Sequence, residues 1–325
     1  MKLQSLLSRT RYVAALAFAT LVGVQTVQAQ QEGQYSQYMF NMLAVNPAYA
    51  GSRDVLSMTG LYRHQWVGIE GAPVSQSFTI DMPISHEKVG IGLQAYHDQI
   101  GKFNNTGVYG SYAYRVKVTE RTTLAMGIQA GVTNLSGDLR DVATTVANDP
   151  SFATTNISSW LPNAGAGLYL SNDRGYIGLS CPSIIQNKIS ATGNSEARQA
   201  RHYFGMLGFV LPLSSSLALK PSMLVKFTNE AAAADFNLNL WIRDRVAVGA
   251  SWRTNNDNFS SAFKNQNGDA AIGMIEIQAS DQFRLGYAYD FALNGIQNQQ
   301  SGTHEVMLRY EFGYRKAKIL TPRYF

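Results

Sequence analysis

The chain is 325 residues long, 45% hydrophobic and 11% aromatic, yet only 15% charged, against roughly 25% in soluble domains. Beyond the N-terminus no apolar run reaches the ~18 residues of a helical membrane span, which excludes a helical transporter. Of the net charge of +5, three cations (Lys2, Arg9, Arg11) fall in residues 1–29 and four in residues 314–325, which leaves residues 30–313 at −2. A near-neutral body excludes a nucleic-acid footprint, which needs Lys and Arg gathered on one folded face.

In chain order, residues 1–29 carry a basic start, the apolar run Tyr12–Val24 and the small-residue end Val27-Gln28-Ala29. This pattern predicts a secretory signal peptide cleaved after Ala29. No Cys follows the apolar run, so a lipoprotein is excluded, and the single Cys181 can form no internal disulfide. Residues 30–54 form an aromatic, amide-rich segment whose Asn46-Pro47 step breaks any helix begun at Tyr38. Placed at the periplasmic mouth, it serves as a lumen plug, as packing on the rim or as a docking peptide.

From Val55 onward, segments of about ten residues alternate apolar and polar, the period-2 signature of strands with two different faces. The last is the clearest: Val306, Leu308, Tyr310 and Phe312 share one face, and Glu305, Met307, Arg309 and Glu311 the other. The same alternation places strands near 55–63, 75–82, 88–97, 107–118, 122–132, 162–171, 175–181, 201–212, 217–227, 235–243, 246–253, 270–279, 282–290 and 304–313. These are fourteen, an even number. Connections at 83–87, 119–121, 172–174, 213–216, 244–245 and 280–281 are short. Those at 64–74, 98–106, 133–161, 182–200, 228–234, 254–269 and 291–303 are long. The sequence therefore predicts an all-β fold, a transmembrane outer-membrane β-barrel of about 14 antiparallel strands with short periplasmic turns and long outer loops. With both termini periplasmic the first connection must be an outer one, and 64–74 is long. The barrel occupies 55–313, and residues 314–325 make a basic periplasmic tail.

Tyr62, Trp66, Tyr96, Trp160, Tyr176, Trp252 and Tyr289 fall near strand ends, where aromatic girdles meet the two membrane interfaces. Arg63, Arg243, Arg253, Arg284 and Arg309 lie on polar faces with Glu276, Glu305, Glu311 and Asp290. Mixed signs of this kind predict ion pairs in the lumen rather than a filter of one charge. Loop 133–161, with Asp138, Arg140, Asp141, Asp149 and Trp160, is either a solvated lid or a partner surface.

Catalytic and metal signatures are absent. His64, His86, His97, His202 and His304 form no HExxH, and none lies four residues from another. There is no G-x-S-x-G, and the pairs Gly90/Gly92 and Gly165/Gly167 lack a third Gly and lie in strands, where they relieve crowding inside a barrel. No enzyme activity, cofactor or metal is expected.

Three stretches carry a family resemblance. Gln37–Asn41 (QYMFN) with Asn46–Ser52 (NPAYAGS) is similar to the start of mature PorP/SprF proteins of the Bacteroidetes type IX secretion and gliding-motility system. Arg63, Gln65 and Trp66, followed by the Gly71-Ala72-Pro73 turn, resemble that family's second signature at the first outer loop, and Pro322-Arg323-Tyr324-Phe325 resembles its usual ending. Phe325, a terminal aromatic, also resembles the signal read by the outer-membrane barrel assembly machinery. The resemblance implies a non-catalytic, integral outer-membrane component that binds a periplasmic, peptidoglycan-associated partner and helps export or anchor a large cell-surface protein. On that reading Tyr38, Met39, Phe40, Asn41, Asn46, Pro47 and Tyr49, with Arg315, Lys316, Lys318 and Arg323 in the tail, meet the periplasmic partner, the outer loops meet the surface protein, and lipid surrounds the wall. The alternative from the residues alone is a passive or gated channel for a small or hydrophobic solute.

Overall fold

A computed structural model describes residues 33–85, 87–138, 156–189, 198–228, 232–254 and 269–313. Three single-turn 3-10 helices (Tyr38–Phe40, Met42–Ala44, Pro47–Tyr49) come first. The strands follow: β1 (Leu56–His64), β2 (Val74–Ile84), β3 (Val89–Ile100), β4 (Phe103–Lys117), β5 (Thr123–Asp138), β6 (Asn156–Asn172), β7 (Gly175–Cys181), β8 (Tyr203–Phe209), β9 (Leu211–Pro212), β10 (Leu217–Phe227), β11 (Ala232–Ile242), β12 (Val246–Arg253), β13 (Ala270–Gln278), β14 (Phe283–Ala292) and β15 (Thr303–Phe312).

β8 and β9 both pair with β10 and are separated only by Val210, so they act as one strand of a fourteen-strand wall. Each strand pairs antiparallel with its sequence neighbour, and β15 pairs with β1 from Leu56↔Phe312 to His64↔His304, so the sheet closes. Closure leaves no unpaired edge, the condition for a sheet in lipid.

The alternation read from the sequence fixes which face meets lipid. Val306, Leu308, Tyr310 and Phe312 of β15 point outward, whereas Glu305, Met307 and Arg309 are buried inside. The pattern recurs around the wall, with Phe78, Leu93, Val108, Ile128, Leu168, Leu179, Phe236 and Val248 among the exposed apolar side chains. An unbroken apolar belt of this extent is a membrane surface.

The ends of the barrel differ. At one end β2–β3, β4–β5, β6–β7, β9–β10, β11–β12 and β13–β14 are joined by short turns; in the β11–β12 turn Arg243 and Asp244 both take left-handed backbone, φ 51° and 53°. The longer connections lie at the other end, which is therefore the outer one. Arg243 was expected on the lumen face, and its place in this exposed turn corrects that reading.

A further correction concerns 98–106. This stretch is a tight hairpin, β3 running straight into β4 around Gly101-Lys102, with Gly101 at φ 57°. His97, Asp98 and Gln99 pair with Thr106, Asn105 and Asn104 above the apolar belt. There a strand needs no lipid-facing side, so polarity on both faces resembles a loop. For the same reason β5 and β6 run on to Asp138↔Asn156, which shortens the expected 133–161 loop. Strands of 15, 16 and 17 residues in β4–β6 exceed the roughly 9–11 needed to cross, so this side of the wall rises above the membrane. Tyr96 and Tyr176, expected in the girdles, face inward: Tyr96 stacks on Tyr109, and Tyr176 on Tyr169.

Candidate functional site: a strap through the lumen

Residues 33–55 do not hang at the periplasmic mouth. They lie inside the barrel, and their contacts descend from its outer end to its turn end. We call this segment the strap.

At the outer end Ser36 and Gln37 meet a charged cluster. The Ser36 and Gln37 backbone N–H groups donate to the two Glu305 oxygens at 2.8 and 2.7 Å. The Ser36 hydroxyl donates to Asp290 (2.8 Å) and accepts from Arg63 (2.8 Å) and Arg253 (3.1 Å). Arg63 bridges Asp290 (2.8 Å) and Glu305 (3.1 Å); Arg253 bridges Asp290 (3.2 Å) and Asp235 (2.6 Å); Lys226 closes on Asp235 at 3.3 Å. Cations and carboxylates balance, which is how charges are tolerated away from water.

The middle of the strap is apolar. Tyr38, Met42, Leu43, Val45, Ala48 and Tyr49 pack on Ala113, Ala125, Tyr169, Tyr176, Phe204, Met206 and Leu224 of the wall. Tyr49 meets the Tyr169 ring edge-on, centroids 5.5 Å apart. Several polar groups here have partners of their own. Asn41 donates to Ser77 (2.7 Å) and accepts from Thr79 (2.9 Å), and Tyr38 donates to Ser222 (3.0 Å). Asn46 accepts from the Ala48 N–H (2.9 Å), capping the Pro47–Tyr49 turn, and donates to the Leu168 carbonyl (3.0 Å). Proline opens that turn at no cost, because the first N–H of a helical turn has no partner within it.

The wall has glycine seats for the strap. A Cβ on Gly90 would stand 1.9 Å from the Ala50 carbonyl oxygen, and one on Gly167 would stand 2.1 Å from the Asn46 side-chain oxygen. The paired glycines therefore admit strap backbone and amide.

At the turn end the Gly51 N–H donates to Asp81 (2.8 Å), and Arg115 grips both the Gly51 carbonyl (2.7 Å) and Asp54 (2.7 Å). Arg53 pairs with Glu311, and Arg309 donates to the Phe40 carbonyl and to Thr59. Beside the strap, towards β10–β14, a narrow space is lined by Arg53, Lys220, Trp241, Arg284 and Arg309. The Lys220 ammonium and the Arg284 guanidinium lie 4.1 and 4.8 Å from the Trp241 ring centroid.

Among the expected site residues, Tyr38, Phe40, Asn41, Asn46, Pro47 and Tyr49 are brought together but buried in the lumen, with Met39 half-buried. In this arrangement they face the wall, not the periplasm. Arg63 belongs to the outer cluster. The Gln65 N–H donates to the Pro73 carbonyl across the first outer loop, and Trp66, at φ 46°, donates its N–H to Thr303. Arg315, Lys316, Lys318, Arg323 and Phe325, residues 1–29 with the expected signal peptide, and Arg140, Asp141 and Asp149 lie outside the described residues. Sequence reasoning passed over Ser36, Arg53, Asp81, Arg115, Lys226 and Asp235. Their signal was the surplus of charged residues at inward positions, which a solvated lumen also explains.

Among solved structures, the chain is similar in shape to the Acinetobacter baumannii outer membrane protein Omp33, with 9% identity and a TM-score of 0.46 over 79% of this chain and 98% of that one. It is similar too to the Ralstonia pickettii toluene transporter TbuX, with 12% identity and a TM-score of 0.48 over 89% and 96%. The KdgM porin gives 8% identity and a TM-score of 0.38 over 79% and 99%. These likenesses are loose, and the barrel assignment stands on the strand pairing above. No curated protein matches the chain. The model of the type IX secretion system membrane protein PorP/SprF family matches residues 27–310, as the QYMFN and NPAYAGS stretches of the strap anticipate, and the chain belongs to that family.

Proposed function

We propose that this protein is a non-catalytic scaffold of type IX secretion in the outer membrane. Its periplasmic side binds a peptidoglycan-associated component, and its outer loops help export or hold a large surface protein such as a gliding adhesin. The observation that carries this reading is the strap: in a chain of this family the lumen is occupied by its own residues, held at the outer end by hydrogen bonds of Ser36 and Gln37 to a buried charged cluster and at the turn end by the Arg53–Glu311 ion pair. A barrel filled in this way offers surfaces rather than a passage. The basic tail, with Arg315, Lys316, Lys318 and Arg323 and no acid, then supplies periplasmic contact through an acidic partner face, while Tyr38, Phe40 and Tyr49 serve the strap. A channel for a small solute is the second reading, favoured by the residual space along Lys220, Trp241 and Arg284.

The test is affinity purification from native outer membranes with crosslinking mass spectrometry, on the intact protein and on a variant lacking 314–325. The scaffold reading predicts a large surface protein crosslinked to the outer loops in both. It also predicts a peptidoglycan-linked protein that is lost with the tail. Recovery of the barrel alone from both would sink the scaffold and leave the channel.

A further inference from the structure

The direction of the strap has a topological consequence. Gly33, the first described residue, lies where a Cβ would stand 3.4 Å from Asp98, and Asp98 is two residues from the outer end of β3. Three residues later Ser36 binds Glu305, which pairs in register with Arg63, one residue below the outer end of β1. Phe40 then meets Arg309, opposite Thr59 in the middle of β1, and Arg53 meets Glu311, opposite Ser57 near its other end. Between Gly33 and Arg53 the chain thus passes from the loop end of the lumen to the turn end. That distance is roughly the height of β1, about 30 Å at ~3.3 Å per residue.

We infer that the mature amino terminus of this protein is displayed on the outer face of the membrane. The chain crosses the membrane plane once more than its strands do, as a strap within its own barrel, before β1 begins. Two features oppose a reversed or looped path. The upper fixing uses backbone N–H groups of Ser36 and Gln37, so strap direction is set by hydrogen bonds as well as by side chains. The lower end agrees: Gly90, against which the Ala50 carbonyl rests, is one residue from the turn end of β3. Gly33 thus stands at the loop end of the lumen, whereas β15 ends at Phe312 on the turn side. The inference rests on the path of the strap and not on the scaffold reading, so either can fail alone.

Cysteine labelling of whole cells tests it. In a Cys181→Ser background, Gln31→Cys is compared with Glu70→Cys in the first outer loop and Lys318→Cys in the tail, using a membrane-impermeant maleimide before and after outer-membrane permeabilisation. Retention of the heat-modifiable folded band establishes that each variant is assembled. Gln31 precedes the strap, so its replacement leaves every contact above intact. The expected result is labelling of Gln31→Cys on intact cells within twofold of Glu70→Cys, with no gain on permeabilisation. Lys318→Cys should gain at least tenfold. If Gln31→Cys follows Lys318→Cys, or stays unlabelled in both conditions, the terminus is not on the outer face. A short epitope inserted between Gln31 and Glu32 and probed by antibody on intact cells gives a second readout with the same two outcomes.

Discussion

At the scale of single residues, Arg63 shows how a buried charge is held. It is 2% exposed and is shared between Asp290 and Glu305, both themselves buried. Arg63→Met leaves these carboxylates in surplus, and breaking a buried pair in this way costs on the order of 3–5 kcal/mol. The variant should lose its heat-modifiable folded band at a clearly lower temperature than the parent. Adding Glu305→Gln, which restores the charge balance, should recover part of the loss; an unchanged transition in the single variant contradicts the cluster's role. Gly90 is a steric case. Gly90→Val places a side chain on the Ala50 carbonyl oxygen, so the turn end of the strap must lift. Trypsin in outer-membrane vesicles opened to the periplasmic face should then cut after Arg53, which the parent protects by burial at 3% exposure. Continued protection would mean that the strap is not seated on Gly90.

At the scale of elements, the strap and the closing strand depend on each other. The three charged inward side chains of β15 all engage the strap: Glu305 through Ser36 and Gln37, Arg309 through Phe40, and Glu311 through Arg53. The last strand therefore finds its register against β1 with the strap as a template. Removing residues 33–54 should lower the folded yield severalfold in an in vitro refolding assay scored by heat modifiability; an equal yield would show that β15 closes unaided. The strands themselves were legible, because a wall between lipid and a filled lumen must alternate at every residue. The strap was not. Its residues are buried on more than one face, so no period marks them, and Tyr38, Phe40 and Tyr49 suit a docking peptide as well as a plug. Above the membrane the alternation ends, which is why the Ile100–Phe103 hairpin resembled a loop.

At the scale of the whole molecule, the barrel is closed sideways by strand pairing, and among the described residues the strap runs along its lumen with a narrow space beside Trp241. Family membership was legible from the strap motifs, and those motifs are now explained: Asn46, Pro47 and Gly51 are the residues that let the strap turn, cap and touch the wall. The central claim, that this barrel works through its surfaces and not as an open passage, is met most directly by single-channel recording of the purified intact protein in planar bilayers. The account predicts insertion without steady ion conductance. Stable, porin-like open channels from the intact protein would contradict it.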